Sequence, residues 1–191
     1  MRSLESTPSR SRKAPIRLLL HLAGEDHPKA CTGRRLVHLG RATRIPGEHA
    51  AAPSTVVLDP YAPTPLSGAD RAGAERGGLL VIDCSWNRLA ARGKFPGTEG
   101  GVRSSRPHRR LPMLIATNPQ HYGRLAQLNT VEALSAALYL LERTDAAAAL
   151  LTGFRGSEQF LPVNRVRLDR YRRADDPEAI LSAERELFGE G

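Results

Sequence analysis

The stretch Gly78-Leu79-Leu80-Val81-Ile82-Asp83-Cys84-Ser85-Trp86-Asn87 decides the fold class of this chain. Four consecutive apolar residues lie between a glycine pair and a polar break, a pattern typical of a short strand buried inside a parallel sheet. The strand ends on an acid, a thiol, a hydroxyl and the single tryptophan of the chain. Because ligands of open α/β sheets bind beyond the carboxyl ends of the strands, we predict a site here.

The rest of the chain alternates apolar strand patterns with capped helix patterns. The predicted strands are 16–22, 55–59, 78–82 and 111–116. The first predicted helix is 32–39 with Thr32 as cap, and the second is 67–76 with Ser67 as cap and Asp70 at N3. A third, 129–142, has Asn129 or Thr130 as cap and Glu132 in a capping box. Two more helices start near Asp145 and at Asp176, the latter with Pro177 at N1. Residues 154–164 are predicted to be irregular. This alternation predicts an α/β fold.

The charge distribution indicates a polyanionic partner. The formal net charge is +8 over 191 residues. Residues 88–110 carry seven basic side chains against Glu99, and residues 165–173 carry five arginines against Asp169. Such surfaces suit the phosphates of a nucleic acid, and the alternative is an ordinary solvated charged surface.

Several classes of protein are disfavoured. No apolar run approaches the roughly 20 residues of a membrane span, and the basic start of the chain lacks the apolar core of a secretory signal. Cys31 and Cys84 are the only cysteines and form no CxxC pair, so we expect no zinc and a reducing, cytoplasmic location. The motifs GxGxxG, P-loop, HExxH and nucleophile elbow are absent.

Four motifs, in this order and at these spacings, resemble one family. They are Asp26-His27-Pro28-Lys29-Ala30-Cys31-Thr32-Gly33, Asp83-Cys84-Ser85-Trp86, Leu111-Pro112-Met113-Leu114-Ile115-Ala116-Thr117-Asn118-Pro119-Gln120-His121-Tyr122-Gly123 and Leu128-Asn129-Thr130-Val131-Glu132-Ala133. From about Ile16 onward the chain resembles the small-subunit (16S/18S) rRNA aminocarboxypropyltransferases, which act in ribosome biogenesis.

The resemblance implies a specific reaction and fold. Members of this family bind S-adenosyl-L-methionine and transfer its 3-amino-3-carboxypropyl group to N3 of a uridine, often N1-methylpseudouridine, in small-subunit rRNA. It implies a SPOUT-like α/β fold with a deep trefoil knot. The expected organisation is a disordered basic tail at 1–13, a small N-terminal α/β domain at 14–108 and a knotted cofactor-binding domain at 109–191. The implied partner is rRNA or a pre-ribosomal particle, with no membrane, no metal and a monomeric state.

The same resemblance assigns cofactor contacts by motif position. They fall on Thr32, Ile82, Leu111, Ala126 and Thr130, several of them through the backbone. The sequence departs from the family at three places: Ala116-Thr117-Asn118-Pro119 stands for Ala-Ala-Asn-Pro, Ala126 stands where an aromatic is usual, and Phe154-Arg155-Gly156-Ser157 replaces Phe-x-Trp-Gly.

Asp83 and Trp86 are the candidate catalytic residues. The tryptophan face tolerates a nearby sulfonium cation and would form a wall that leaves the aminocarboxypropyl chain exposed, unless it only fills the core. Asp83 would orient the incoming base, accept the N3 proton, or merely cap a turn. Tyr122 is a candidate to stack on a base, to close the cofactor loop or to fill the core.

Two alternative functions stay open. One is the related transfer of the same group to a tRNA uridine, whose Asp-x-x-Trp motif is similar to Asp83-Cys84-Ser85-Trp86. The other is a non-catalytic RNA-binding factor of ribosome assembly, which would keep the basic loops without binding cofactor.

Overall fold

A five-stranded, all-parallel sheet forms the centre of the structure. The structure is a computed structural model that describes residues 14–22, 31–83, 86 and 105–189. The strand order is β2-β1-β4-β3-β5. The strands are β1 (Leu18–Leu22), β2 (Thr43–Arg44), β3 (Val56–Leu58), β4 (Leu79–Asp83) and β5 (His108–Arg109). The predicted α/β class with a parallel sheet is confirmed, and β4, which lies in the stretch 78–87, is the central strand.

Strand β4 is buried on both faces because it pairs with β1 on one side and β3 on the other. Successive side chains of a strand point to opposite faces. Leu79 and Val81 therefore enter the main hydrophobic core, whereas Leu80 and Ile82 enter a smaller cluster on the other face. This explains why the strand reads as an uninterrupted apolar run.

The glycine pair before β4 is required by close contacts of the backbone. A Cβ atom on Gly77 would lie 2.3 Å from the backbone nitrogen of Thr55, which begins the approach to β3. Gly78 has a φ of +88°, a conformation that side chains disfavour. The two glycines thus let helix and strand meet at a sharp turn.

Six α-helices surround the sheet within the described residues. They are α1 (Thr32–His38), α2 (Arg71–Gly77), α3 (Thr130–Leu140), α4 (Thr144–Leu151), α5 (Phe160–Arg172) and α6 (Pro177–Phe188). Short 3-10 turns occupy Glu48–Ala50, Gly68–Asp70 and Ser157–Gln159. No helix in these ranges is long and apolar enough to cross a membrane.

Most predicted helix starts are confirmed, and one is corrected. Asn129 and Glu132 form the capping box of α3, and Asp176 caps α6 with Pro177 at N1. For α1 the predicted cap Thr32 is wrong. The cap is Cys31, whose Sγ accepts from the Arg34 N–H at 3.3 Å, and Thr32 is the first helical residue.

Helix α5 was not expected, because residues 154–164 were predicted to be irregular. Its buried side chains are Phe160, Asn164, Leu168 and Tyr171, so a polar residue interrupts the apolar stripe that would have marked the helix. Pro162 lies in the first turn, where the missing N–H has no intrahelical partner to lose.

The predicted strand 111–116 is also wrong. Only one isolated antiparallel bridge, between Ile115 and Leu125, occurs there. Side chains of α5 and α6 take the place of a neighbouring strand. Asn164 Oδ1 accepts from Ile115 N–H and its Nδ2 donates to Ile115 O, both at 2.8 Å, and Glu184 Oε1 accepts from Met113 N–H at 2.8 Å. The extended segment is therefore fixed without joining the sheet.

The predicted boundary between 108 and 109 falls inside β5. Residues on both sides of it, such as Leu79 and Leu134, belong to one continuous hydrophobic core. The division into two domains stays a prediction. The expected basic tail at 1–13 lies outside the described residues.

Replacement of Asn164 by Ala is expected to destabilise the protein by about 1–3 kcal/mol, because it leaves the partly buried N–H and C=O of Ile115 without partners. Urea denaturation measures this free energy of unfolding. Val166→Ala on the same helix, at a position 72% exposed, should change it by less than about 0.5 kcal/mol. Equal stabilities of the two variants would contradict the role of Asn164.

Candidate active site

A cavity of about 350 Å³ lies beyond the carboxyl ends of β3 and β4. Its other walls are the extended segment at 110–113, the loop at 126–128 and the first turn of α3. Among its lining residues are six of the seven predicted site residues: Ile82, Asp83, Trp86, Leu111, Ala126 and Thr130. Residues from four separate stretches of sequence are thus brought together at the edge of the sheet where strand ends and helix starts meet.

The Asp83 carboxylate joins three elements of the fold. Its Oδ2 accepts from Cys31 Sγ at 2.7 Å, and its Oδ1 accepts a short hydrogen bond from Thr130 Oγ1. Cys31 caps α1 and Thr130 is the first residue of α3, so Asp83 links the end of β4 to the starts of both helices. Both oxygens remain able to accept further hydrogen bonds.

Thr32 does not line this cavity. It lies in the first turn of α1, between Cys31 and Gly33. A Cβ atom on Gly33 would stand 2.6 Å from Asp83 Oδ2, so the Thr-Gly turn approaches the carboxylate as closely as its backbone permits. Thr32 is thus the one predicted contact outside the cavity lining, next to the residue that approaches Asp83.

The Trp86 ring is held in one orientation at the cavity wall. Its Nε1 donates to Leu128 O at 2.8 Å, and the half-buried ring packs against the smaller cluster that contains Leu80 and Ile82. The ring also lines the cavity, so it is more than core filler. Cys84 and Ser85 lie outside the described residues.

Glu132 was predicted only as part of a capping box, but it also fixes the loop before α3. It is fully buried. Its Oε1 accepts from the N–H and the hydroxyl of Thr117, both at 2.8 Å, and its Oε2 accepts from Asn118 Nδ2 at 2.7 Å and Asn129 N–H at 3.0 Å. The Thr117-Asn118 pair therefore serves as an anchor for the segment that leads to Thr130.

Ala126 stands in the left-handed region, with a φ of 58°, which is uncommon for a residue with a side chain. Its N–H donates to Leu114 O at 2.9 Å, which keeps the loop against the extended segment. The residue is exposed and borders the cavity. Its small side chain leaves this edge of the cavity open.

Three charged cavity residues received no site role from the sequence: Asp59, Arg110 and Glu184. Arg110 donates to both oxygens of Glu184, at 2.9 and 2.7 Å. Asp59 directly follows the buried strand β3, and Asp83 is the last residue of the buried strand β4. This shared position at a strand end is the sequence signal that would have identified Asp59 as a site residue. In the described part of the chain, no group of three or more His, Cys, Asp and Glu side chains could hold a metal ion.

His108 lies between two carboxylates beside the cavity. Its Nδ1 is 3.0 Å from Asp59 Oδ2 and its Nε2 is 3.2 Å from Glu48 Oε1. The hydrogen bond with Asp59 raises the pKa of His108 above its ordinary value, against the opposing effect of burial, and Glu48 adds to the rise. Only a protonated imidazole donates to both neighbours.

The basic segments are less available for phosphates than their sequence indicates. Arg109 is paired with Asp70 at 2.9 Å and Arg110 with Glu184. Arg106 donates to backbone carbonyl groups, including that of Ala52 at 3.3 Å. The other basic residues of 88–110 lie outside the described residues.

In the second basic segment, Asp169 pairs with Arg165 at 2.9 Å and lies 3.6 Å from Arg172, while Arg170 pairs with Glu186 at 2.8 Å. Three of the five arginines of this segment therefore contact a carboxylate within the fold.

The raised pKa of His108 predicts a pH-dependent contribution to stability. Because the folded pKa exceeds the unfolded value of about 6.5, the contribution is complete below that value and is lost as pH rises through the folded pKa. The wild type should have a larger free energy of unfolding than His108→Gln at low pH, and this difference should shrink as pH rises through the window. Urea denaturation over a pH series measures it. A difference that is constant with pH would contradict the assignment.

Comparisons with known proteins agree with this arrangement. The profile of the family described as "Ribosome biogenesis protein, C-terminal" matches residues 56–188. The 16S rRNA aminocarboxypropyltransferase of Vulcanisaeta distributa is 38% identical over 91% of this chain and 88% of its own length. The protein of the same name from Methanopyrus kandleri is 39% identical over 91% and 99%.

A eukaryotic protein and a solved structure extend the comparison. The 18S rRNA aminocarboxypropyltransferase of Schizosaccharomyces pombe is 34% identical over 95% of this chain and 60% of its own length. The structure of the SAM-dependent rRNA:acp-transferase Tsr3 from Vulcanisaeta distributa superposes with a TM-score of 0.79 at 37% identity, over 91% of this chain and 89% of that one. The chain therefore belongs to the family of ribosome-biogenesis proteins that includes the small-subunit rRNA aminocarboxypropyltransferases.

Proposed function

We propose that the protein transfers the 3-amino-3-carboxypropyl group of S-adenosylmethionine to N3 of a uridine or N1-methylpseudouridine in small-subunit rRNA during ribosome biogenesis. The observation that carries this proposal is the cavity at the carboxyl ends of β3 and β4, which gathers six predicted site residues from stretches far apart in sequence. The names of the relatives and of the solved structure support the reaction, the cofactor and the rRNA substrate.

The cavity fits a cofactor of this kind. Its volume is within the range of small-molecule sites, and apolar side chains make up most of its lining. The carboxylates of Asp59 and Asp83 supply negative charge to a site for a sulfonium cation, and the Trp86 face offers a cation–π contact.

In this proposal the cofactor is held by Ile82, Leu111, Ala126 and Thr130 around the cavity, and by Thr32 in the turn that approaches Asp83. The hydroxyl of Thr130 already donates to Asp83, so Thr130 would bind the cofactor through its backbone. Ile82 and Leu111 likewise offer only backbone groups and apolar surface.

When bound, S-adenosylmethionine supplies an electrophilic aminocarboxypropyl carbon, so that the C–N3 bond forms as the C–S bond breaks and the thioether leaves. Trp86 forms the wall that selects which carbon is exposed, because its hydrogen bond to Leu128 fixes the ring. Asp83 orients the incoming uridine or takes the N3 proton with its remaining lone pairs. Direct transfer requires no covalent bond to the protein.

The proposal also includes features that rest on the resemblance alone. They are the SPOUT-like topology with a deep trefoil knot, the division into an N-terminal domain and a cofactor-binding domain, a monomeric state, the absence of a metal and a cytoplasmic location. The parallel sheet and the superposition on the solved transferase are compatible with such a fold.

Transfer to a tRNA uridine is the second candidate reaction, and the Asp-x-x-Trp spacing of Asp83 and Trp86 is the feature that it shares. The Cys31-Thr32-Gly33 turn favours rRNA, because this motif of the rRNA family packs directly against Asp83. Mass spectrometry of rRNA and tRNA from a deletion strain distinguishes the two. Loss of the modified base from tRNA alone would reject the rRNA assignment.

Calorimetric titration with S-adenosylmethionine tests the cofactor. We expect the wild type to bind and Trp86→Ala to bind about 10- to 100-fold more weakly, since the cation–π contact and the apolar wall are both lost. Trp86→Phe should retain part of the affinity, and Val166→Ala should retain all of it. Absence of binding by the wild type would reject both enzymatic functions and favour a non-catalytic assembly factor.

Asp83→Asn separates a role in transfer from a role in folding. The amide can still accept from Thr130 but loses the charge. Because Asp59 keeps a carboxylate at the site, we expect cofactor affinity to fall less than about 10-fold, whereas transfer to rRNA should fall about 100-fold or more. Calorimetry and mass spectrometry of rRNA incubated with the purified protein measure the two effects. Unchanged transfer would reduce Asp83 to a link between helices.

A further inference from the structure

A loop beside the cavity presents an aromatic ring to solvent. We call residues 118–127 the Tyr122 loop. It begins at Asn118, which donates to the Glu132 carboxylate, and it includes the cavity residue Ala126. Tyr122 is 72% exposed, whereas the buried tyrosines Tyr139 and Tyr171 are 7% and 1% exposed. The ring of Tyr122 therefore adds nothing to the core, and it does not close over the cavity, whose lining does not include it.

The loop is held in shape by its own backbone. Gly123 N–H donates to Ala116 O at 2.8 Å, and Ala116 N–H donates to Arg124 O at 2.9 Å. These two hydrogen bonds hold the loop against Ala116. Asn118 Oδ1 accepts from His121 N–H at 3.0 Å, and Asn118 Nδ2 donates to Glu132 at 2.7 Å. An exposed ring on a loop fixed in this way loses little conformational entropy when it binds a partner.

Two exposed arginines lie on the Tyr122 loop and on the turn beside its base. Arg124 is exposed, two residues after Tyr122, and Arg155 is exposed on the neighbouring turn. That turn lies against the base of the loop, since a Cβ atom on Gly156 would stand 3.0 Å from Thr117 O. Within the described residues, neither arginine has a carboxylate partner, in contrast to Arg109 and Arg110.

An exposed aromatic ring next to unpaired arginines suits single-stranded RNA. Unpaired bases stack on aromatic side chains, and arginine guanidinium groups bind the flanking phosphates. The formal net charge of +8 favours a polyanion over a protein surface of mixed charge. Because Ala126 of the same loop borders the cavity, a strand held on the loop would pass its mouth.

We propose that the Tyr122 loop binds the rRNA strand beside the target uridine, with Tyr122 stacked on an unpaired neighbouring base and Arg124 bound to a backbone phosphate. This inference rests on the proposed function and identifies the substrate contact of the same site. It assigns recognition to the 118–127 loop, not to the arginine-rich segment 165–173, where three of the five arginines contact carboxylates of the fold.

Fluorescence anisotropy with a labelled, single-stranded oligouridylate tests the proposal. Tyr122→Ala should weaken binding about 5- to 150-fold, the usual effect of removing one stacked base, and Tyr122→Phe should restore most of it. Binding of an abasic oligonucleotide of equal length should not respond to either change. Arg124→Ala should weaken both probes and reduce the salt dependence by about 0.7 in slope.

Arg76→Ala is the matched control for charge. Arg76 is exposed at the end of α2, just before β4 begins, and therefore lies at the edge of the sheet opposite the cavity. It should leave the affinity for oligouridylate nearly unchanged. Equal affinity of wild type and Tyr122→Ala would overturn the proposal, as would wild-type binding to duplex RNA as tight as to the single strand. A partner protein on this loop would give the first of these results.

Titration of the same variants with S-adenosylmethionine keeps the two proposals apart. Tyr122→Ala should bind the cofactor as the wild type does, because the ring is outside the cavity. If the wild type binds cofactor and Tyr122→Ala binds RNA normally, the RNA contact fails while the proposed function stands. If the wild type binds RNA through Tyr122 but no cofactor, the enzymatic function fails and the RNA contact stands.

Discussion

The Asp83 carboxylate is the interaction on which the site depends. It stands at the end of the central strand, where alternation along β4 turns it towards the helices, and there it accepts from Cys31 and Thr130. A half-buried carboxylate requires such donors, and each hydrogen bond to it contributes about 1.5–3 kcal/mol. Without it, the starts of α1 and α3 would have no shared anchor at the cavity.

Glu132, in the first turn of α3, performs a similar task. Its two oxygens receive four donors from Thr117, Asn118 and Asn129, so a fully buried charge is compensated without a basic partner. These hydrogen bonds fix the start of the Tyr122 loop. Its end at Ala126 borders the cavity, and its tip presents Tyr122 to solvent. The proposed cofactor site and the proposed RNA contact therefore share one support.

The sequence predicted most of what has a local physical origin. The apolar run of β4, the Asn129–Glu132 capping box and the Asp176–Pro177 helix start all depend on neighbouring residues, and all are confirmed. The predictions of an irregular segment at 154–164 and of a strand at 111–116 were both wrong because of Asn164. Its side chain interrupts the apolar stripe of α5, and it bonds the backbone of Ile115 in place of a neighbouring strand. No local pattern reveals a side chain that bonds across 49 residues.

The sequence by itself determined the α/β class, the position of the central strand and, through four spaced motifs, the family. The first two follow from periodicity and capping, which are properties of residues close together in the chain, and the family follows from the resemblance of the four motifs. Only the tertiary structure decided that Asp59, Arg110 and Glu184 share the cavity with the predicted residues, that Arg109 and Arg110 are paired internally, and that Tyr122 faces solvent. Charge pairing and exposure depend on which distant side chains meet, and folding alone settles that.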